Sequence, residues 1–323
     1  MNGLEAAEVA CAVADRSALG RLIAKGPDLL ALLQRLSTGD VKGLRPGEGR
    51  ATVLTSAKGR IVERLFVHHL GDDGVLLIAG EGGAQRTLAH LVKYTFAEDT
   101  GLSDVTATMF AHVLLGPRWA SAARAARIPD LAGYGASTCT IAGLPVHAVR
   151  TNGFNDEGVL VTGPRDGDAR VRAALLDAAT SEGGGEIDAE GLQAWRILKG
   201  LPASGHELTE EHNPLEAGLR EAVSFAKGCY VGQEVVARLN TYDKVARTLV
   251  RLDLEPRAPV PALGASVLHD GREVGAVTSA VLPPGRSAPV ALAYVKSRVL
   301  AGGATVLAVD VAGTPRAASI VPR

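Results

Sequence analysis

Excess charge of either sign is missing from this chain. Its 323 residues carry 34 Lys and Arg against 35 Asp and Glu, a net charge of −1. That balance argues against a broad face for direct nucleic-acid binding. Cysteine is scarce. Cys11, Cys139 and Cys229 are odd in number and far apart, which argues for a reducing compartment rather than a disulfide framework. No pair is spaced CxxC, so the chain alone cannot hold a cysteine-ligated iron–sulfur cluster of the usual kind. No apolar run reaches the ~20 residues that cross a bilayer. Met1–Asp15 places Glu5 and Glu8 where a signal peptide carries lysine or arginine. Internal repeats and low-complexity tracts are absent too. These absences describe a cytoplasmic protein with no membrane segment. What remains, 46% hydrophobic and 21% charged residues, is a globular composition long enough for two or three domains.

One stretch concentrates chemistry: Lys227-Gly228-Cys229-Tyr230-Val231-Gly232-Gln233-Glu234, continuing to Arg238. Glycines at 228 and 232 permit a tight loop around Cys229, and Gln233–Arg238 reads as the opening of a helix. A thiol before a helix N-terminus, next to Lys227, is favoured as thiolate. The alternative is a buried structural cysteine, but the flanks are polar or glycine.

The remaining elements follow from periodicity. Pro27 opens a helix whose leucines, 29, 30, 32, 33 and 36, form one apolar face. Ala51–Thr55 and Ile61–His69 alternate around the turn residues 56–59, a β-hairpin. Val75–Ala79 is a strand, and 84–94 a helix. Glu81-Gly82-Gly83 lacks the GK[ST] of a phosphate cradle and reads as a loop before that helix. Strand-like runs cover 105–115, 137–149 and 157–162, with helices at 120–127, 166–180 and 187–198. Residues 201–220 are mostly loop. His206-Glu207 lacks the second histidine, four residues after the first, that a zinc-protease helix needs. Glu207 and Glu216 read as solvated loop acids. After residue 243 six short strands, at 247–254, 265–269, 272–281, 290–295, 304–311 and 316–321, predict a small barrel.

The octapeptide at 227–234 resembles the signature of the folate-binding YgfZ family, which serves iron–sulfur cluster assembly and repair. That family is related to the glycine-cleavage T-protein aminomethyltransferases. Outside the octapeptide the likeness is diffuse but spans nearly the whole chain. It includes the turn at Arg150–Gly158 and the loop at 205–219.

The resemblance implies an α+β, three-domain cloverleaf around a folate cleft with a C-terminal β-barrel. Its first domain would be 1–44 plus 136–240, its second 45–135 and its barrel 241–323. The signature loop would sit at the cleft's edge. The implied ligand is tetrahydrofolate, and the implied partners are iron–sulfur enzymes or cluster-assembly proteins. Cys229 and Lys227 would carry the chemistry. Gly228, Tyr230, Gly232, Gln233, Glu234 and Arg238 would shape the loop. Glu63, Tyr94 (in a Lys93-Tyr94 pair), Trp195 and Arg196 would meet the folate. Two departures stand out. Relatives carry an Asp pair where this chain has Glu63-Arg64, which opposes aminomethyl transfer. They also carry a pterin-accepting glutamate where this chain has Leu198, which implies weaker folate binding.

Overall fold

The computed structural model describes residues 1–151, 158–242 and 244–321. Asn152–Glu157, within the turn singled out at Arg150–Gly158, lie outside the described residues. The chain runs α1 (Gly3–Val9), β1 (Ala12–Asp15), β2 (Leu19–Lys25), α2 (Leu29–Leu36), β3 (Gly49–Thr55), β4 (Ile61–His69), β5 (Val75–Glu81), α3 (Gly83–Lys93) and β6 (Gly101–Asp104). It continues with β7 (Met109–Leu115), α4 (Trp119–Ala125), β8 (Ala136–Ile141), β9 (Leu144–Val149), β10 (Gly158–Pro164), α5 (Asp168–Ser181), β11 (Gly185–Glu186), α6 (Ala189–Leu198) and α7 (Gln233–Thr241). The last part holds β12 (Arg247–Leu254), β13 (Ser266–His269), β14 (Arg272–Val281), β15 (Val290–Lys296), α8 (Ser297–Ala301), β16 (Val306–Val311) and β17 (Thr314–Val321). No described helix is long and apolar enough to cross a membrane.

These strands make three sheets. The first has order β11-β1-β7-β10-β9-β8, the second β3-β4-β5-β2-β6, and the third is a closed barrel, β12-β15-β14-β13-β16-β17. Alternation along β7 shows how the first sheet is covered. Phe110 and Leu114 pack with Ala122 of α4 and Leu175 of α5. Ala111, Val113 and Leu115 pack with Leu4 of α1 and with Ala194 and Trp195 of α6. In the second sheet, Leu29, Leu32, Leu33 and Leu36 of α2 bury against Leu54, Leu65 and Leu77.

The inserted unit starts earlier and ends earlier than the boundaries expected at 44/45 and 135/136. β2 pairs with β5 and β6, so α2 and β2 belong to the second sheet. The chain leaves the first sheet after Asp15 and rejoins it at Met109, on β7 beside β1. Arg21 fixes both crossings. Its fully buried guanidinium donates to the carbonyls of Arg16, Ser17 and Leu19 on the way out, and of Thr106 and Met109 on the way back. A buried cation is tolerated because these acceptors replace its water. Burial still pulls its pKa down to about 10.

Candidate functional site

A cleft of about 590 Å³ opens between the first two sheets, within the range of small-ligand sites. Four pieces of chain line it: 15–19 at the outgoing crossing, 80–81 at the end of β5, 186–196 at the start of α6, and 202–206. Asp15, Arg16, Glu81, Glu186, Asp188, Gln193, Arg196, Ser204 and His206 are its polar lining residues. No described barrel residue lines it, so in place of the expected three-domain cleft the described lining comes from the first two lobes. The barrel reaches it indirectly through Arg196.

Of the residues expected to meet folate, only Arg196 lines the cleft, and its donors are committed. Nε donates to Gln193, Nη1 to the Leu201 carbonyl and to Glu207 (2.9 Å), and Nη2 to Ser279 on β14 (2.8 Å). Burial lowers its pKa, and Glu207 opposes that shift. Glu207 is fully buried and also accepts from Ser279 and the Ala203 amide. The carbonyl of Glu207 accepts from the Tyr294 hydroxyl. Glu216 is buried as well. It accepts from the Asn213 amide and sits near Arg60 and His212. Neither acid is the solvated loop residue that the sequence implied, because the 201–216 segment turns Glu207 and Glu216 inward while Gly205, His206, Glu210 and Glu211 face solvent.

The other three expected ligand contacts are placed elsewhere. Trp195 is 2% exposed within the core, since an amphipathic helix turns its largest apolar side chain inward. Tyr94 ends α3 and packs on His90 and under the Lys93 ammonium, a helix length from the cleft. Glu63 is 1% exposed and already surrounded. It pairs with Arg86 of α3 (2.8 Å) and accepts from the Ser204 hydroxyl and from the amides of Arg64 and Gly80. Alternation on β4 explains why its ion pair comes from a facing helix rather than from the next residue. Gly83 makes room for it, because a Cβ there would lie 2.6 Å from Glu63 Oε2. The glycines at 82 and 83 thus serve the start of α3 and the space around Glu63. Leu198 is buried and does not line the cleft; its carbonyl accepts from Arg251.

The signature loop lies against the second sheet and lines no part of the cleft. Val231 donates its amide to the Arg35 carbonyl and accepts from Thr55. Gly232 has φ +82°, and a Cβ there would meet the Ser56 carbonyl at 2.5 Å, so only glycine fits. Gly228 meets nothing within 4 Å and is not required sterically. Gln233 starts α7 and its side chain accepts from the Tyr230 amide. Glu234 sits in the first helical turn, where a negative charge complements the dipole. Arg238 lines a separate groove along α7 with Val235, Leu239, Tyr242 and Lys244. Cys229 is exposed, while Cys11 is buried and Cys139 half-buried. Lys227 does not act as the free charge expected beside it. Its ammonium is buried, donates to the carbonyls of Ser37 (2.7 Å) and Gly39 (2.6 Å), and sits over the Tyr230 ring. Burial pulls its pKa down to about 8, with Asp40 opposing.

Sequence reasoning passed over Arg16, Glu81, Arg86 and Ser204. Arg16 and Glu81 pair at 2.8 Å across the cleft, joining residues 65 positions apart that no spacing rule connects. The only local sign was the polar Asp15-Arg16-Ser17 that interrupts two apolar strands.

The architecture is three lobes, two of them sheets meeting at a cleft of ligand size and the third a closed barrel. The chain matches the family described as GCVT N-terminal domain over residues 3–227. Residues 247–323 match the glycine cleavage T-protein C-terminal barrel domain. It belongs to the glycine-cleavage T-protein family. An aminomethyltransferase of Cutibacterium acnes is 30% identical over 315 residues, covering 93% of this chain and 82% of that one. A chloroplastic protein of Arabidopsis thaliana, whose name assigns it to the transferases without a substrate, is 30% identical over 310 residues, 94% of this chain and 70% of its own. The glycine cleavage system aminomethyltransferase T of Bartonella henselae has the same fold, with TM-score 0.83 at 22% identity, covering 99% of this chain and 87% of that structure.

Proposed function

We propose that this protein binds a tetrahydrofolate in the cleft between its first two sheets. The observation that carries this reading is the cleft itself: about 590 Å³, with polar side chains from the 15–19 crossing, the end of β5, the start of α6 and the 202–206 loop. Family membership supports it, because aminomethyltransferases of this family use tetrahydrofolate. Isothermal titration with 5-formyltetrahydrofolate tests it. Saturable one-to-one binding is expected; no heat at millimolar ligand defeats the reading.

The relatives' names favour aminomethyl transfer as the chemistry. Against it stands Glu63, whose carboxylate already accepts from four donors and has no exposed surface. A carboxylate so bound is poorly placed to steer a reacting folate nitrogen, and positioning errors of about 1 Å cost about a hundredfold. Turnover well below that of a T-protein is expected in a glycine-cleavage assay, and comparable turnover would restore the transferase reading. A second reading, support of iron–sulfur enzymes or cluster-assembly proteins, is favoured by the exposure of Cys229 on the 227–234 loop. One thiolate can offer a single ligand to a shared cluster or form a transient mixed disulfide. Cys229→Ser should then abolish support of iron–sulfur enzymes in cells, while Cys11→Ser and Cys139→Ala leave it intact.

A further inference from the structure

Two arginines line the cleft, and they differ in what their donors do. Every nitrogen of the Arg196 guanidinium has a protein acceptor. Among the described residues Arg16 has one partner for five N–H groups: Nη1 donates to Glu81 at 2.8 Å. Its Nε is buried with no acceptor, and no described group accepts from Nη2. The side chain is only 13% exposed, and its buried Nε is a donor left unmade, which is costly, while Nη2 keeps access to the solvent of the cleft. The backbone at Arg16 is rigid. Its amide donates to the Ala111 carbonyl at 2.7 Å, and its own carbonyl accepts from Leu19 and from Arg21. A nearly buried guanidinium on a fixed backbone, short of acceptors in a cleft wall, is built to receive an anion. Its planar fork matches a carboxylate. The acid that now holds it, Glu81, is 58% exposed and can turn to solvent at little cost.

We infer that Arg16 is the specificity-determining cation of the cleft: it receives a carboxylate of the bound ligand, and Glu81 keeps that place until the ligand arrives. The inference rests on the tetrahydrofolate reading, whose ligand carries glutamyl carboxylates, and it assigns those carboxylates to the Arg16 wall. It also gives Glu81 a definite sign, that of a competitor for the ligand.

Titration of the full-length protein with two probes tests it. One is 5-formyltetrahydrofolate, which carries the glutamyl carboxylates; the other is 6-methyltetrahydropterin, which carries none. Arg16→Gln should weaken the first about 10- to 100-fold, the scale of a lost charge-assisted hydrogen bond, and leave the second within about twofold. Arg16→Lys should recover part of the loss. Glu81→Gln, at an exposed position that folding tolerates, should tighten the first probe about 3- to 10-fold by removing the competitor, without changing the second. Equal weakening of both probes by Arg16→Gln would make Arg16 structural only. Unchanged or weaker binding of 5-formyltetrahydrofolate by Glu81→Gln would overturn the inference even if Arg16→Gln did not fold. Wild-type protein that binds neither probe would defeat the folate reading and this inference with it. Wild-type protein that binds the first probe, with both variants unchanged, would defeat this inference alone.

Discussion

The seams between the lobes and the 227–234 loop use polar residues in opposite ways. At the seams, Arg21, Glu63, Arg196 and Glu207 bring their charges close to or inside the protein and are met by partners across a boundary. On the signature loop the sulfur of Cys229 is left outward. The difference shows how little a charged residue's identity says about its role. Arg196 and Glu207 are chemically suited to bind a ligand, yet they join α6 to the barrel. A thiol, the residue type most often buried, is here the exposed one. Burying a charge is tolerated only with partners, so an acid or base at a lobe boundary first serves the boundary.

Breaking the seam at its most buried acid should have the largest effect. Glu207→Ala strips Arg196 of its ion pair and leaves Ser279 and the Ala203 amide without their acceptor. A loss of about 3–5 kcal/mol is expected, read as a lowered denaturation midpoint. Glu207→Gln keeps the shape and part of the hydrogen bonding and should lose clearly less. Equal midpoints for wild type and Glu207→Ala would mean that the network contributes nothing to holding the barrel.

A second seam group gives a pH signature. His68 on β4 is fully buried, with Nδ1 3.1 Å from the Tyr134 carbonyl and Nε2 without a partner. Burial drops its pKa from 6.5 to about 4. Between those values the unfolded chain takes up a proton that the folded chain refuses, so stability falls as pH falls. Above pH 6.5 both states leave His68 neutral and this acid penalty is absent. Across the window it amounts to about 3 kcal/mol. Since acids such as Glu216, also held low in the fold, add their own acid sensitivity, the test is differential. Stability against pH in His68→Gln should be flatter than wild type from pH 6.5 down to about 4, and parallel curves would refute the assignment.

A smaller effect is expected where the seam meets solvent. Glu63→Gln keeps an acceptor for Ser204 but removes the charge facing Arg86, which is 44% exposed. Solvent screens that pair, so about 1 kcal/mol is expected. A loss as large as that of Glu207→Ala would mean that both acids are equally deep in the network.

These seams are also where the sequence was hardest to read. The barrel was legible almost to the residue: 247–254 and 272–281 were expected as strands and are strands, because Asp270-Gly271 and the glycine and proline turns mark their ends. The hairpin at Ile61–His69 and the leucine face of α2 were legible for the same reason, that local periodicity states what is buried. The lobe boundary was not. It depends on β2 pairing with β5, some 55 residues later, and on Arg21, whose five acceptors come from two distant crossings. The resemblance implies that Trp195 and Arg196 both meet the ligand, yet on α6 these adjacent positions diverge: Trp195 packs into the core, and Arg196 lines the cleft while bonding to Ser279 of the barrel. Pairings such as Arg16 with Glu81 exist only once the two sheets are folded.

The signature loop gives the smallest stability effect and the sharpest contrast with the seams. Cys229→Ser should move the denaturation midpoint by no more than about 0.5 kcal/mol, since an exposed side chain away from packing contributes little. Iodoacetamide should modify Cys229 first. Burial raises the pKa of Cys139 and pushes that of Cys11 up to about 12, and Cys11 is also closed to reagent. Lys227→Met is the informative companion. The buried ammonium anchors the loop to Ser37 and Gly39 at the end of α2, so its removal should destabilise the protein more than Cys229→Ser does, although Cys229 is the residue with chemistry to offer. If Lys227→Met instead left stability intact and slowed alkylation of Cys229, the lysine would be acting on the thiol rather than on the fold. The loop would then no longer divide into a buried cation that positions it and an exposed sulfur that it presents.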